Sequence, residues 1–140
     1  MQRPAWLLTL SNHNTLAIAQ QQVVEYSTGL SAHHVPDCSF QCHHVVLWRN
    51  TVLPIIGIGS KNAINNVPHL LVISYVHSLG NGLIALSLTQ PPQAINVSDQ
   101  DQCSPQDEQV EYWQGAVAAC FQHDENVIPI VDFGKLISPS

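Results

Sequence analysis

The sequence predicts an all-β fold, and three observations support that prediction. Apolar residues come in short runs, such as Val45–Trp48 and Leu70–Ile73, that have the length of strands. Turn residues separate these runs, and no segment has convincing helical periodicity over three turns. An apolar fraction of 45% in 140 residues is enough for a core, in one domain or in two small lobes that share the chain.

Ten strands are expected, and six of them pair as hairpins. The hairpins join Trp6–Leu10 to Thr15–Ile18, His44–Arg49 to Val52–Ile58, and Leu70–His77 to Gly82–Leu88. The second turn is expected at Asn50-Thr51, and in the third turn Asn81-Gly82 should supply the positive φ angles. The remaining strands are Val23–Tyr26, Ala94–Val97, Gly115–Phe121 and Val127–Phe133.

Helical structure is expected only as short turns. The candidates are Gln20–Val24, Gln106–Trp113 and Gly134–Ile137. The acidic segment Asp99–Glu111 is polar and poor in apolar residues, which favours a solvated loop.

Two strands that contain proline form an internal repeat. Val52–Ile58, with Pro54, resembles Val127–Phe133, with Pro129, about half a chain later. Proline cannot donate a hydrogen bond to a neighbouring strand, so both prolines are expected at strand edges or bulges. A similar strand used twice, each time after a strand and a short polar turn, indicates two small β lobes of similar build.

The charge pattern argues against nucleic-acid and membrane partners. The net charge is −6, and fixed positive charge is limited to Arg3, Arg49, Lys61 and Lys135. Four scattered cations cannot form the basic face that phosphate backbones or anionic lipids attract. No apolar run approaches the roughly 18 residues that span a bilayer, and the N-terminal apolar run is too short for a signal peptide. A cytoplasmic protein without membrane insertion is expected.

The sequence also lacks the motifs of common catalytic sites. It has no Gly-x-Ser-x-Gly elbow and no His-Glu-x-x-His pair, and Gly57–Lys61 lacks the spacing of a phosphate-binding loop. The adjacent carboxylates Asp107–Glu108 and Asp124–Glu125 lie in polar segments, where solvated charge is the ordinary explanation. We therefore expect a protein that is not an enzyme and carries no cofactor.

Four motifs follow one another in the order of a known family. They are Val-Val-Glu-Tyr at 23–26, Val45–Asn50 followed by Val52–Ile58, Tyr112–Val117, and Val127–Ile137. In this order and spacing the chain resembles the CheW-like domain of bacterial chemosensory adaptors, over about Trp6 to Ile137. The resemblance implies a single domain over residues 1–140, built as two interlocked five-stranded SH3-like β-barrel lobes around a shared groove.

The same resemblance implies a non-catalytic scaffold. One lobe would bind the regulatory domain of a CheA-type histidine kinase, and the receptor's cytoplasmic tip would bind near the groove. By resemblance, partner contacts are expected at Arg49, Glu25, Val23 and Asn50. Family positions of structural importance match Pro54, Gly115, Pro129 and Asp132.

Several positions depart from the family pattern. Asn50 replaces a glycine after the arginine, and Asn also tolerates positive φ. Gly57 replaces an aspartate, and Ala85–Pro91 lacks another aspartate and its valine. These departures suggest a divergent member, for example of a pilus or twitching-motility pathway rather than flagellar chemotaxis.

Three alternatives stay open at this point. Arg49 can serve an internal ion pair with Glu25, Asp37 or Asp132 instead of, or as well as, a partner contact. A second possibility is a degenerate CheW-like domain with a different protein partner. The third is a metal-binding or redox regulatory module, although the spacing fits no familiar zinc site, so no metal is expected. Its candidate ligands are His33, His34, Cys38, Cys42, His43 and His44.

Overall fold

The structure is a computed structural model that describes residues 2–35, 44–58, 64–77 and 80–137. In this part of the chain it consists of strands, two short α-helices and two single-turn 3-10 segments. The strands are β1 (Gln2–Thr9), β2 (Thr15–Ala19), β3 (Val23–Ser27), β4 (Leu30–His34), β5 (His44–Trp48), β6 (Thr51–Ile56), β7 (Ile64–Val67), β8 (His69–His77), β9 (Gly80–Leu88), β10 (Gln93–Ser98), β11 (Gln102–Cys103), β12 (Val117–His123) and β13 (Asn126–Val131). The helices are α1 (Asp107–Tyr112) and α2 (Phe133–Ile137), and the 3-10 turns are Gln20–Gln22 and Asp99–Asp101.

The strands form two curled sheets, which confirms the all-β prediction. The terminal sheet has the order β10-β1-β2-β13-β12-β11, and the central sheet has the order β3-β8-β9-β6-β5-β4-β7. The chain leaves the terminal sheet after β2 and returns to it at β10, so the central sheet is an insertion within the other. Both sheets have more than five strands because the short strands β4, β7 and β11, absent from the sequence prediction, extend them.

The two lobes are interlocked where β1 and β9 end. Leu10 and Leu88 form a β-bridge between the sheets. The Ser11 N–H donates to the Ser87 carbonyl at 2.8 Å, and the Thr89 N–H donates to the Thr9 carbonyl at 3.0 Å. These backbone bonds join the lobes by the same kind of pairing that holds each sheet.

Packing follows the same division. One buried cluster belongs to the central sheet and includes Val46, Trp48 and Val72, and a smaller one belongs to the terminal sheet. The largest cluster draws residues from both sheets, together with Trp113 and Phe133 at the helices. Burial of apolar surface at about 25 cal/mol per Å² therefore stabilises the junction as well as each lobe.

The two proline strands occupy equivalent positions in the two sheets. β6 lies between antiparallel β5 and parallel β9, and β13 lies between antiparallel β12 and parallel β2. The prediction that Pro54 and Pro129 lie on edge strands or at bulges is therefore wrong. The parallel register begins at Ile55 and at Ile130, one residue after each proline, so neither proline occupies a described parallel pair.

Two turn predictions are also wrong. Asn81 and Gly82 lie within β9, opposite Val76 and Tyr75, and a side chain at Gly82 would overlap the Tyr75 ring. The close approach of that ring explains the glycine better than a turn does. In the β5–β6 hairpin the turn falls at Arg49-Asn50, one residue earlier than expected.

The acidic segment Asp99–Glu111 is not a simple loop. It contains a 3-10 turn, β11 and most of α1. The Ser98 hydroxyl accepts a hydrogen bond from the Gln100 N–H at 3.3 Å, and Gln109 Nε2 donates to the Val127 carbonyl at 2.8 Å. Capping and a contact with β13 thus order a segment whose composition alone favours a loop.

Candidate functional site

The carboxylate of Glu25 lies at the centre of a small polar cluster on the central sheet. Its Oε2 accepts hydrogen bonds from Trp48 Nε1 at 2.6 Å and from Ser27 Oγ at 3.0 Å. Its Oε1 forms an ion pair with Arg49. Of the internal partners expected for Arg49, Glu25 is the one with which it pairs in the described part of the chain. Asp132 accepts from the Lys135 N–H instead, and Asp37 lies outside the described residues.

This cluster closes the central lobe. β3 and β5 are separated in the sheet by β8, β9 and β6, so their side chains meet only because the sheet curls. The Trp48 ring is buried in the lobe's core, with its indole nitrogen directed at the Glu25 carboxylate.

The turn after Trp48 holds Arg49 in an unusual backbone conformation. Trp48 pairs with Thr51, so the hairpin is closed by Arg49 and Asn50 alone, with φ angles of 49° and 62°. A two-residue hairpin turn of type I′ requires positive φ at both positions, where glycine and asparagine are preferred. An arginine there is strained, and such strain is commonly retained where the side chain has a task.

The Arg49 side chain is exposed, but contacts with Glu25 and Trp48 restrict its conformation. It is 65% exposed, against 29% for Glu25. Its guanidinium carbon lies 4.7 Å from the centre of the Trp48 ring, and the guanidinium also pairs with Glu25. Stacking and pairing together present the remaining N–H donors to solvent in a restricted orientation.

Hydrogen bonding sets the ionisation of Glu25. The Trp48 indole, then the Ser27 hydroxyl, and to a smaller degree the Arg49 charge, lower the pKa of Glu25 against the opposing effect of burial. The carboxylate is therefore held ionised, ready to orient Arg49.

Two large apolar side chains flank the turn on the outer face. Leu47 and Val52 are direct cross-strand partners and are 57% and 63% exposed. An exposed apolar pair beside an oriented arginine is the composition typical of a protein-binding patch.

The other sequence-predicted partner residue, Val23, lies elsewhere. It is half-buried and packs against the core cluster shared by the two sheets. A bulge separates it from Glu25 on β3, so the two side chains have different surroundings. The structure brings Glu25, Arg49 and Asn50 together and leaves Val23 apart from them.

The four structural positions each occupy an element end or a strand pairing. Pro54 and Pro129 lie in β6 and β13, opposite Val45 and Cys120. The Gly115 N–H donates to the Val110 carbonyl at 2.9 Å, which ends α1. Asp132 precedes α2, and its carboxylate accepts from the Lys135 N–H at 3.1 Å, as a helix N-cap does.

A groove lies between the two lobes. Its volume is about 520 Å³, and its walls come from both sheets and from the start of α2. The walls include Gln22, Tyr75, Ala118, Val131 and Phe133. Residues of both lobes therefore line this groove.

The candidate metal ligands are only partly described. His33 and His34 are exposed on β4, and His44 on β5 is buried, with the rings of His34 and His44 5.7 Å apart. Cys38, Cys42 and His43 lie outside the described residues. Within the described ranges, no group of three or more His, Cys, Asp or Glu side chains is placed to hold a metal ion.

Sequence reasoning missed the hydrogen-bonding role of Trp48 and the exposure of Leu47 and Val52. The Trp48 ring is buried in the core, but its indole nitrogen donates to Glu25 and so belongs to the site. Val46, Leu47 and Trp48 are all apolar, so residue type alone did not reveal that Leu47 is exposed; the two-residue period of a strand would place it on the face opposite to Val46 and Trp48.

No described helix is long and apolar enough to cross a membrane.

Comparisons with known proteins agree with this architecture. A family model described as the CheW-like domain matches residues 5–139. Among solved structures, the chain is similar to the crystal structure of the scaffolding protein TtCheW from Thermoanaerobacter tengcongensis, with a TM-score of 0.64 and 15% identity. The match covers 99% of this chain and 89% of that one, and at this identity it shows the fold. No curated protein sequence matches the chain significantly.

Proposed function

This chain belongs to the CheW-like domain family, and we propose that it is a non-catalytic scaffold adaptor of a chemosensory signalling system. In this proposal the whole chain works as one domain of two lobes in the cytoplasm. One surface binds the regulatory domain of a CheA-type histidine kinase, and another binds the cytoplasmic tip of a chemoreceptor. The name of its structural relative, a scaffolding protein, supports the same general role.

The observation that supports the proposal most strongly is that Arg49 is held in one orientation while its side chain stays exposed. The residue accepts a strained φ of 49°, stacks on Trp48 and pairs with Glu25, yet its side chain stays 65% exposed. An exposed ion pair contributes only about 0–1 kcal/mol to stability, too little to explain an arginine in a position that favours asparagine or glycine. A contact with a partner supplies the missing reason.

The neighbours of Arg49 fit a partner contact. Leu47 and Val52 offer apolar area that a partner would remove from water, and Arg49 offers a planar fork for a carboxylate or for backbone carbonyls. Apolar contact would supply affinity, and the arginine would fix orientation, as charged groups at interfaces commonly do.

The groove between the lobes fits a helical receptor tip. It is bounded by both sheets, so a helix lying there would contact both lobes at once. The loss of an aspartate and a valine of the family pattern within Ala85–Pro91 fits a divergent member, such as one of a pathway that controls a pilus or twitching motility.

A three-component binding experiment tests this proposal. The purified full chain would be mixed with the kinase regulatory domain and the receptor tip from the same genome, and complexes would be separated by size-exclusion chromatography. The proposal expects the chain to co-elute with each partner alone and with both together. Binding to neither partner, with a different protein recovered instead, would favour a degenerate CheW-like domain and overturn the kinase–receptor assignment.

A further inference from the structure

Two cysteines face each other across the short edge pairing of the terminal sheet. Cys103 in β11 and Cys120 in β12 are direct partners in the antiparallel register. Opposing residues in such a pair have Cα atoms about 4.5 or 5.5 Å apart, and their side chains leave the sheet on the same face. Disulfides typically join Cα atoms about 4.4–6.8 Å apart, so the backbone needs little movement to bridge these two residues.

The two thiols are free in the structure and differ in accessibility. Cys103 is half-buried at the sheet edge, whereas Cys120 is buried. Burial, and then the neighbouring Cys103, raise the pKa of the Cys120 thiol. Reaction with an oxidant from solvent therefore begins at Cys103, and Cys120 is placed as the resolving thiol.

We propose that Cys103 and Cys120 are an oxidation site, at which a hydroperoxide converts the two thiols to a disulfide that joins β11 to β12. In the first step the Cys103 sulfur attacks the peroxide oxygen, the O–O bond breaks, and a sulfenic acid and an alcohol or water form. In the second step the Cys120 sulfur attacks the sulfenic sulfur, and water leaves. The two sulfurs lose two electrons in total, and the peroxide gains them.

The bond would act on a weakly anchored part of the sheet. β11 has only two residues, paired at Gln102–Phe121 and Cys103–Cys120, and it leads through 104–106 into α1. A disulfide there would fix the edge strand and restrict the unfolded chain between the two cysteines. Cross-strand disulfides near a surface are commonly strained, so we expect this one to be reversible with a dithiol.

Oxidation followed by peptide mapping tests the site. The full chain with Cys38→Ser and Cys42→Ser would be treated with hydrogen peroxide, alkylated in denaturant and digested with a glutamate-specific protease. Trypsin is unsuitable because no lysine or arginine lies between Lys61 and Lys135, so both cysteines stay in one tryptic peptide. Glu108 and Glu111 lie between the two cysteines, so cleavage after glutamate places them in separate peptides. The proposal expects two peptides joined through Cys103 and Cys120, in monomeric protein, that separate on reduction.

Thermal unfolding and single-cysteine variants complete the test. Oxidised protein should unfold several degrees above reduced protein, and the increase should vanish with dithiothreitol. Adding Cys103→Ser or Cys120→Ser to the same background should abolish both the linked peptides and the increase in melting temperature. If Cys120→Ser, a change at a buried position, does not fold, Cys103→Ser alone tests the same linkage. Full alkylation of both cysteines after peroxide, or linkage only between chains, would overturn the proposal.

Discussion

The Trp48 indole nitrogen donates to the Glu25 carboxylate at 2.6 Å, although three strands lie between β5 and β3 in the central sheet. This hydrogen bond contributes both to the stability of the central lobe and to the orientation of Arg49 at its surface. It closes the curled sheet, and it holds the carboxylate that orients Arg49. Changes at either residue should therefore affect both stability and binding.

Replacing Trp48 with phenylalanine separates the hydrogen bond from the packing. Trp48→Phe keeps an aromatic ring in the core but removes the N–H donor to Glu25. Because hydrogen bonds to charged groups stabilise more than neutral ones, we expect the melting temperature to fall by about 2–6 °C. Circular dichroism melts check this, and in a Glu25→Gln background, where the charged acceptor is already gone, Trp48→Phe should lower the melting temperature by less.

Acid should remove the contribution of Glu25. Its pKa is lowered in the folded protein, so its contribution is present above the unfolded pKa and is lost as the pH falls through the folded pKa. The melting temperature of Glu25→Gln should therefore lie below that of the parent at neutral pH, and the gap should close as the pH falls below 4.5, the ordinary value for a glutamate, and through the lowered pKa of the folded state. Glu111→Gln, at an exposed position of α1, is the control. A gap that is constant with pH would contradict this account.

Glycine at position 50 should stabilise the hairpin. Asn50 has a φ of 62° in the second position of the turn, where glycine is preferred. We expect Asn50→Gly to raise the free energy of unfolding by about 0.5 kcal/mol, measured by urea denaturation. Asn81→Gly makes the same change within β9, where positive φ is not used, and should lower stability instead.

Gly57 should not tolerate a side chain. Its φ is 103°, and a Cβ would lie 3.0 Å from Leu10 and from the Ser87 carbonyl oxygen, at the junction of the lobes. This explains why the aspartate of the family pattern is replaced here. Gly57→Ala should cost about 2–4 kcal/mol in urea denaturation, from backbone strain and overlap together. Gly115→Ala, with a φ of 80° but open space around it, should show the strain alone and cost less.

The fold class and the two-lobe architecture could be predicted from the sequence because the patterns that indicate them occur more than once. The short apolar runs and the doubled proline strand predicted the strands and the two lobes, and both proline strands do occupy equivalent places. Their parallel neighbours, β9 and β2, were not predictable, because parallel pairs join residues far apart in sequence. The strands β4, β7 and β11 were missed because they are short and mixed in composition, and their pairing depends on those distant neighbours.

The site could be predicted only in part, because its contacts also join residues that are far apart in sequence. Arg49 and Glu25 were identified by motif, but their contact depends on the curl of the sheet, which no local pattern records. The turn prediction at Asn81-Gly82 was wrong because the sequence does not distinguish a glycine that makes room for the Tyr75 ring from a glycine that a turn requires.

The most direct test of the account is the affinity of an Arg49 variant for the receptor tip and for the kinase regulatory domain, by isothermal titration calorimetry. We expect Arg49→Ala to weaken binding to at least one of them by about tenfold or more, while its melting temperature falls by only a few degrees. The matched variant Arg3→Ala, at an exposed arginine of the terminal sheet, should bind as the parent does. Unchanged affinity of Arg49→Ala for both partners, or loss of folding, would contradict the claim that Arg49 is presented for a partner.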